Sequence, residues 1–377
     1  MSDSHERALR ALERRGRLRA LSKRVGIDFS SNDYLGLGGS KELREAIAAA
    51  IARGVPAGAG GSRLLRGNDP EHEALEAEAA GFFGAESALY FGGGFVANYT
   101  LFATLPERGD LIVHDELIHA SVHDGMRASR AGREAARHND AQSFEDAVKR
   151  LRAAGGIGRP WIAAESLYSM DGDRAPLDDL MAVAERHDGM LVVDEAHATG
   201  VHGPGGRGLG AHLEGRSNLI SLHTCGKALG VMGALVLAPK VICDFLVNRG
   251  RPFIYATAPS PLMAAGVRAA LDLCRRSADR RTELTRRIEL YRKARLDHCG
   301  TAASGSQIDH VIVGSDARAT AYAAAMQAAG FDIRAVRPPT VPEGAARLRI
   351  SITLNVSESD IDRMVRTLAD EFDRLPA

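Results

Sequence analysis

The chain has few cysteines and no long apolar run. Each of these features excludes certain classes of protein. Four cysteines in 377 residues, with no paired Cys-x-x-Cys spacing, argue against zinc knuckles and redox dithiols and predict free thiols in a reducing compartment. No run of about 18 apolar residues occurs, so no membrane span is expected. The opening segment MSDSHERALRALERRGRLRALSKR lacks the apolar part of a signal peptide, which predicts a cytoplasmic protein with an N-terminal helix.

Net charge is absent as well. The 48 basic residues balance the 48 acidic ones, so no overall field attracts nucleic acid or an anionic membrane. Hydrophobic residues make up 45% of the chain, which is enough for a large core. We therefore expect a folded protein of two or three domains, or one large domain with appendages, whose partners are small molecules.

Short apolar runs alternate with helical segments through the middle of the chain. The runs are SALYF (87–91), DLIVHD (110–115), WIAAE (161–165), MLVVD (190–194), LISLH (219–223) and GALVL (233–237). Strands covered by helices on both faces have this pattern, which predicts an α/β fold with a mainly parallel sheet. Helices are predicted at about 69–83, 95–104, 143–154 and 176–188.

The pattern changes in the last third of the chain. A helical pattern over about 259–297 precedes the apolar segments DHVIVG (309–314), FDIRAV (331–336) and RLRISIT (347–353). A final helix opens with Ser357 and Asp360 in capping-box spacing. We predict an N-terminal helix and arm over residues 1–39, a large α/β domain over 40–262 and a small α+β domain over 263–377.

Lysine is scarce, which makes the position of one lysine informative. Only six of the 48 basic residues are lysines, yet Lys227 follows a predicted buried strand, among the small and apolar residues of HTCGKALG. A partly desolvated lysine can form a Schiff base, whereas an arginine cannot. An ordinary loop lysine is the alternative.

The segment LVVDEAHATG (191–200) is a second candidate for chemistry. Its strand ends at Asp194, at the edge where open α/β sheets bind ligands, and His197 follows. An acid there can pair with a protonated pyridine nitrogen, and a histidine can bond a ring substituent. A helix cap and a buried structural histidine are the alternatives. With His202, these residues lack the spacing of a zinc site, so no metal is expected.

Two glycine-rich segments predict different structures. FGGGFVANYT (91–100) ends a strand and turns into a helix, whose first N–H groups can hold a phosphate; a tight turn is the alternative. GPGGRG (203–208) fits a dinucleotide-binding pattern in form. It does not directly follow a strand, and no acidic residue lies about 20 positions beyond it. We interpret it as a mobile glycine loop near the site.

Together, GGGF, SMDGD (169–173), DEAH and the T-x-x-K of Thr224 to Lys227 resemble the α-oxoamine synthases of fold type I. The resemblance covers about residues 28–353. It implies pyridoxal phosphate as cofactor, a sheet of the seven-stranded type, a homodimer with shared active sites, and the joining of an amino acid to an acyl thioester, in most members with loss of CO2.

Three segments narrow the resemblance further. FSSNDYLGL (29–37), DEAHATG and RPPTVP (337–342) resemble the members of the family that act in biotin biosynthesis. That likeness implies L-alanine and a pimeloyl thioester as substrates, the thioester being carried by coenzyme A or by a carrier protein. Members that use glycine as amino donor are the alternative.

The resemblance also implies residue roles. Lys227 matches the lysine that bonds the cofactor, Asp194 the partner of the pyridine nitrogen, and His197 the partner of the phenolic oxygen. His119 matches the histidine that stacks on the cofactor ring. The other implied cofactor contacts are Gly94, Phe95, Ser169, Thr224 and, from a neighbouring subunit, Thr257. The implied substrate contacts are Arg19, Arg337 and Thr340. The chain departs from the family at YATAPSP, where relatives more often carry a Thr-Ser or Ser-Thr pair.

A different class of protein uses a domain of this type to regulate transcription. Such a regulator needs a DNA-binding module. The roughly 28 residues before FSSNDYLGL leave no room for one, so we expect no nucleic-acid partner.

Overall fold

The computed structural model describes residues 2–374, in which the alternating pattern becomes twelve β-strands and thirteen α-helices. The strands are β1 Ile27–Asp28, β2 Ser87–Phe91, β3 Leu111–Asp115, β4 Gly132–Ala136, β5 Pro160–Glu165, β6 Met190–Asp194, β7 Leu219–Thr224, β8 Ala234–Ala238, β9 Ile308–Gly314, β10 Phe331–Asp332, β11 Arg334–Val336 and β12 Ala346–Ser351. The helices are α1 Ser2–Arg14, α2 Lys41–Ala52, α3 Pro70–Phe83, α4 Gly94–Thr104, α5 Ala120–Ala128, α6 Ala141–Ala153, α7 Leu177–Arg186, α8 Lys240–Arg249, α9 Arg251–Ile254, α10 Pro261–Arg276, α11 Ala278–Cys299, α12 Asp316–Ala328 and α13 Glu358–Asp373.

Two compact units divide the described chain. The larger unit comprises Leu35–Ser169 and Arg174–Arg281. The smaller unit comprises the described residues up to Tyr34, the short segment Met170–Asp173, and the described residues from Thr282 onward. The domain bounds expected at residues 39 and 262 remain a prediction.

A seven-stranded sheet forms the centre of the larger unit, in the order β2-β8-β7-β6-β5-β3-β4. The strands from β7 to β4 are parallel, while β8 is antiparallel to both of its neighbours, β7 and β2. The predicted α/β fold with a mainly parallel sheet is therefore confirmed. Its parallel strands place the ends of β5, β6 and β7 at one edge, where ligands of such sheets bind.

Both faces of this sheet are buried along its inner strands, as the continuous apolar runs predicted. Successive side chains of a strand point to opposite faces. In β6, Met190 and Val192 belong to one buried cluster, whereas Leu191 and Val193 belong to another. Helices cover each face, so the strands carry few polar side chains until their carboxyl ends.

The smaller unit contains a three-stranded antiparallel sheet in the order β11-β12-β9 and a parallel pair of β1 with β10. Its last helix, α13, begins with the predicted capping box, because Ser357 accepts from the backbone N–H of Asp360 and the Asp360 carboxylate accepts from the backbone of Ser357. This arrangement satisfies two N–H groups that an uncapped helix leaves open.

Three elements differ from the sequence-based expectation. FDIRAV is two short strands in two sheets, because the chain leaves β1 after Asp332 and pairs with β12 from Arg334. The helical pattern over 259–297 is two helices, α10 and α11, separated at Ser277, whose hydroxyl bonds the Leu273 carbonyl. Strand β4 was not predicted, because it is a largely exposed edge strand without an apolar run.

Two further features are the hydrophobicity of the helices and the state of the cysteines. No helix within residues 2–374 is long and apolar enough to cross a membrane. The four cysteines are free thiols, and three of them are buried. The expectation of free thiols is confirmed.

Candidate active site

The carboxyl ends of β5 and β6 bring two acidic side chains to one edge of the large sheet. Glu165 is the last residue of β5 and pairs in register with Asp194, the last residue of β6. Both are buried, with exposed fractions of 3% and 8%. Beyond β7, the next strand in the sheet, the chain turns through Lys227, which is half-buried. The edge therefore gathers two carboxylates and an amine within the larger unit.

The Asp194 carboxylate is fixed by two donors. Asn98 Nδ2 donates to Asp194 Oδ2 at 2.7 Å, and the backbone N–H of Ala196 donates to Oδ1 at 2.9 Å. Asn98 is itself buried on α4. Hydrogen bonds to a carboxylate favour its charged form and set its direction. Two donors from different elements thus fix the direction of the Asp194 carboxylate at the sheet edge.

A chain of hydrogen bonds connects Asp194 to His119. Asn98 Nδ2 also donates to Ser121 Oγ at 3.1 Å, and Ser121 Oγ lies 2.8 Å from His119 Nδ1. The backbone N–H of Ser121 donates to the same ring nitrogen at 3.2 Å. Because Nδ1 accepts, the neutral ring carries its proton on Nε2.

The pKa of His119 is lowered, chiefly because part of the ring is removed from water. The charge of Asp194 opposes this effect and the charge of Lys227 adds to it. The residue nevertheless remains exposed to solvent in part. A neutral, partly exposed imidazole is compatible with stacking on a flat ligand, the role implied for His119.

The turn that carries Lys227 depends on a glycine. The backbone N–H of Gly230 donates to the Lys227 carbonyl at 2.9 Å, and Gly230 has a φ of 70°. A Cβ at Gly230 would lie 2.3 Å from the backbone nitrogen of Gly38. Only glycine fits this left-handed, crowded position. The sequence G-K-A-L-G thus holds Lys227 in a tight turn.

The first turn of α4 offers a place for an anion. Gly93 precedes the helix, and no side chain caps its N-terminus. A Cβ at Gly94 would lie 2.6 Å from Thr224 Cγ2, so the missing side chain allows the helix end to approach β7 closely. Thr224 Oγ1 donates to the Ala196 carbonyl at 3.3 Å. Open N–H groups and the helix dipole favour a phosphate here.

The other predicted cofactor contacts in the larger unit occupy different environments. His197 is buried in the turn after β6, and Phe95, in the first turn of α4, is 49% exposed. Ser169 is half-buried, and its backbone N–H donates to Glu165 Oε2 at 3.1 Å. Thr257 is exposed after α9, next to Ala258, whose N–H donates to the Gly61 carbonyl.

The predicted substrate contacts lie in the smaller unit. Arg19 and Thr340 are exposed, and Arg337 is half-buried. The Arg337 guanidinium donates to the Gly16 carbonyl and lies 3.5 Å from Thr320 Oγ1. Arg337 therefore connects the segment after α1 to α12. Its role in holding a substrate remains a prediction.

Sequence reasoning did not single out three buried polar residues. They are Asn98, Glu165 and Arg349. Arg349 donates to Ser351 Oγ at 2.8 Å and to Asn32 Oδ1 at 3.0 Å. A usable signal for Arg349 was the alternation of arginines with apolar residues in RLRIS. For Glu165, it was an acid that ends a fully apolar strand, as Asp194 does.

The end of the GPGGRG segment lies against a third carboxylate, that of Glu195, because a Cβ at Gly208 would lie 2.7 Å from its carboxyl carbon. The following residues, Leu209 and Gly210, donate their N–H groups to Glu195 at 3.1 Å and 2.5 Å, and Ser166 Oγ donates at 2.6 Å. This segment therefore has a structural task. Within residues 2–374, no group of three acidic, histidine or cysteine side chains is arranged to hold a metal.

Comparison with known proteins shows the family to which the chain belongs. A family model described as aminotransferase class I and II matches residues 24–368. The 8-amino-7-oxononanoate synthase of Chromobacterium violaceum is 41% identical over 339 residues, which cover 90% of this chain and 87% of that protein.

Solved structures give the same fold. A serine palmitoyltransferase from Sphingomonas wittichii superposes with a TM-score of 0.86 at 28% identity, covering 94% of this chain and 89% of that one. An 8-amino-7-oxononanoate synthase from Francisella tularensis superposes with a TM-score of 0.78 at 27% identity, covering 93% of this chain and 98% of that one.

Proposed function

The chain belongs to the aminotransferase class I and II family, and from this premise we propose that it condenses L-alanine with a pimeloyl thioester, with loss of CO2, to give 8-amino-7-oxononanoate. The observation that carries the proposal is the 41% identity to an 8-amino-7-oxononanoate synthase over 90% of the chain. Biotin biosynthesis is the process this reaction serves.

The residues at the sheet edge fit pyridoxal phosphate. Lys227 offers an amine for covalent attachment, and the carboxylate of Asp194, held by two donors, can pair with a protonated ring nitrogen. The uncapped N-terminus of α4 offers N–H groups to the phosphate. Glu165 Oε1 is a buried oxygen without a hydrogen-bond partner in the described structure, as expected beside a ligand.

When bound, the cofactor supplies an electron-withdrawing ring that stabilises negative charge on the α-carbon of an amino acid. The chain's residues do the rest. Asp194 would keep the ring nitrogen protonated, and Asn98 keeps the Asp194 carboxylate in place. Lys227 would hold the cofactor through its Nζ, and the same amine, when free, would accept the proton from the substrate α-carbon. His119, neutral and protonated on Nε2, would lie against the ring and limit the access of water.

The substrate carboxylate needs an arginine. A guanidinium holds a carboxylate with two parallel hydrogen bonds and so orients the bond to be broken. We assign this task to Arg337, with Thr340 and Arg19 as further substrate contacts. Arg349, which is buried and donates to Ser351 Oγ and Asn32 Oδ1, is a second arginine for the same test.

Two measurements test the proposal. The purified protein should be yellow, and borohydride should fix the cofactor covalently. Incubation with L-alanine and pimeloyl-coenzyme A should release CO2 and coenzyme A and form 8-amino-7-oxononanoate, identified by mass. A colourless protein that retains no bound absorbance after incubation with pyridoxal phosphate and removal of the free compound would refute the cofactor assignment.

The same assay decides among substrates. Glycine and L-serine replace L-alanine in parallel reactions, and palmitoyl-coenzyme A replaces the pimeloyl thioester, because a serine palmitoyltransferase has a similar structure. A pimeloyl-carrier protein replaces the coenzyme A thioester in a further reaction. A higher kcat/KM for glycine or serine than for alanine would contradict the assignment of the amino donor.

We also propose a homodimer whose subunits share active sites. Supporting it, several large apolar side chains of the larger unit are exposed, including Leu65 at 86%, Met232 at 67% and Tyr255 at 70%. Apolar surface of this kind is typical of protein contacts. Exposed Thr257 would then reach the phosphate of the neighbouring subunit. A cytoplasmic location is proposed as well, supported by the four free thiols.

Mixing two inactive variants tests the shared site. In a mixed dimer of Lys227→Ala with Thr257→Arg subunits, one site carries both lesions and the other carries neither, provided that Thr257 acts across the interface. Activity should therefore reappear on mixing, towards a quarter of the wild-type value for random pairing of equal amounts. If Thr257 serves its own subunit, both sites stay damaged and no activity returns. Light scattering should give twice the mass of one chain.

A further inference from the structure

Glu165 is the buried acidic residue at the sheet edge that has no assigned task. Its Oε2 atom accepts from the Ser169 N–H at 3.1 Å, whereas Oε1 has no hydrogen-bond partner in the described structure. A buried polar atom without a partner is costly, and native proteins retain few of them. The open oxygen of Glu165 is therefore available for a hydrogen bond to a bound ligand.

Glu195, a buried acid whose role is structural, is the comparison for Glu165. It is also fully buried, but its oxygens accept from Ser166 Oγ, Leu209 N and Gly210 N. Both of its oxygens are satisfied within the larger unit. Glu165 and Glu195 lie at the ends of adjacent strands, so burial alone does not explain why one of them has an open oxygen.

The neighbours of Glu165 decide its charge. Burial raises its pKa, and the adjacent Asp194 raises it further, while Lys227 acts in the opposite direction. Two buried carboxylates side by side cannot both ionise without large cost. Asp194 has two N–H donors and Glu165 has one, so Glu165 is the one that takes up the proton.

Other titratable groups face Glu165 from β3 and from its own strand connection. Asp115, at the end of β3, raises the pKa of Glu165. Asp115 is held by His138 Nδ1 at 2.9 Å. Burial raises the pKa of the Tyr168 phenol well above its usual value, so Tyr168 brings no charge at neutral pH. No cation in this set other than Lys227 acts on Glu165 to favour its ionised form.

We propose that Glu165 is a neutral carboxylic acid that donates a hydrogen bond from its open oxygen to the phenolic oxygen of bound pyridoxal phosphate. The inference rests on the proposed cofactor site. In the pyridoxal ring, the nitrogen and the carbon attached to Lys227 stand opposite each other. One edge between them carries the phenolic oxygen, and the other carries the phosphate arm.

The position of Glu165 selects the edge with the phenolic oxygen. Glu165 ends β5 on one side of Asp194, whereas the end of β7 and the first turn of α4, where Gly94 approaches Thr224, lie on the other side. The phosphate is assigned to the first turn of α4. The edge left for Glu165 carries the phenolic oxygen, an anion that accepts hydrogen bonds strongly. Glu165 thus acts beside His197, for which the same atom is expected.

Replacement by glutamine and by leucine separates a donor from an anion. Glu165→Gln keeps an N–H donor and a neutral side chain, whereas Glu165→Leu removes the donor. The readouts are the dissociation constant of pyridoxal phosphate and the pH midpoint of the absorbance change of the lysine-bound cofactor. Neither readout depends on turnover.

Loss of the donor should raise the pH midpoint. Without a hydrogen bond, the phenolic oxygen is more negative and holds the proton on the neighbouring Lys227 nitrogen more tightly. Glu165→Leu should raise the midpoint by about one pH unit or more and weaken cofactor binding by about 10-fold, whereas Glu165→Gln should stay within about half a unit of wild type. Glu195→Gln, the control, should lower Tm without moving the midpoint.

The possible outcomes distinguish failure of the Glu165 proposal from failure of the proposed cofactor site. An equal shift in the glutamine and leucine variants would mean that a carboxylate, not a neutral donor, is needed, and would overturn the proposal. No shift in either variant would assign Glu165 to structure or to the phosphate, and would also overturn it. Should the leucine variant fail to fold, Glu165→Asp, too short to reach, should raise the midpoint instead. A wild-type protein without a cofactor band would refute the cofactor site itself.

Discussion

Substitution of Gly94 by alanine tests the close approach between α4 and β7. The added Cβ would lie 2.6 Å from Thr224 Cγ2, which is closer than carbon atoms approach in proteins. Thr224 is buried, so its side chain cannot move into open solvent. Overpacking of this kind costs about 1–3 kcal/mol. We therefore expect Gly94→Ala to lower the free energy of unfolding by that amount.

The same clash should weaken cofactor binding. Thr224 is an expected cofactor contact, and a hydrogen bond to a charged group contributes about 1.5–3 kcal/mol. If the new methyl displaces Thr224, the dissociation constant of pyridoxal phosphate should rise by about 10- to 100-fold, since about 1.4 kcal/mol corresponds to tenfold. Absorbance titration of the apoprotein measures this constant, and thermal unfolding of the apoprotein measures stability.

A second substitution makes the test specific. Thr224→Ser removes the clashing Cγ2 and keeps the hydroxyl, so the Gly94→Ala/Thr224→Ser protein should recover most of the lost affinity, with a coupling energy of about 1 kcal/mol or more. Gly81→Ala is the control, because a Cβ at this position in α3 meets nothing within 4 Å and should stabilise the helix. Unchanged affinity and Tm in Gly94→Ala would refute the close approach.

Three further predictions concern single residues of the site. Lys227→Ala should abolish turnover and the borohydride-reducible linkage, and a reducible adduct on the variant, seen by mass spectrometry, would contradict the assignment. Asp194→Asn should retain the cofactor poorly and lose on the order of 10²-fold in kcat, the scale of a lost charge-stabilising contact; near-normal kcat would leave Asp194 as a cap. Arg337→Ala should raise the KM for L-alanine strongly with little change in the cofactor spectrum, with partial recovery in Arg337→Lys. If Arg349→Ala alone raises that KM, the carboxylate contact belongs to Arg349.

Local patterns in the sequence determined the fold class and the main features of the site. Continuous apolar runs such as MLVVD predicted strands buried on both faces, because a sheet covered by helices has no polar face. The same runs ended at Asp194 and just before Lys227, which marked the ligand-binding edge. The resemblance carried by GGGF, DEAH and T-x-x-K then agreed with a relative at 41% identity. Each of these signals depends on residues that are close together in the chain, so the sequence alone shows it.

Pairing between distant segments was decided only by the tertiary structure. The contact of Asn98 with Asp194 and Ser121 joins three elements, and neither a helical asparagine nor a serine signals such a partner in sequence. FDIRAV has the pattern of one strand, but its two halves find partners in different sheets. Edge strand β4 lacks an apolar run because solvent covers it.

The open oxygen of Glu165 also depends on the folded chain. In sequence, Glu165 and Glu195 are both acids that follow apolar strands. Folding brings Ser166, Leu209 and Gly210 to Glu195 and leaves Glu165 Oε1 without a donor in the described structure. Some of these hydrogen-bond partners come from residues that are distant in the chain. The sequence can therefore indicate that an acid is buried, but only the structure shows which acid keeps an oxygen available for a ligand.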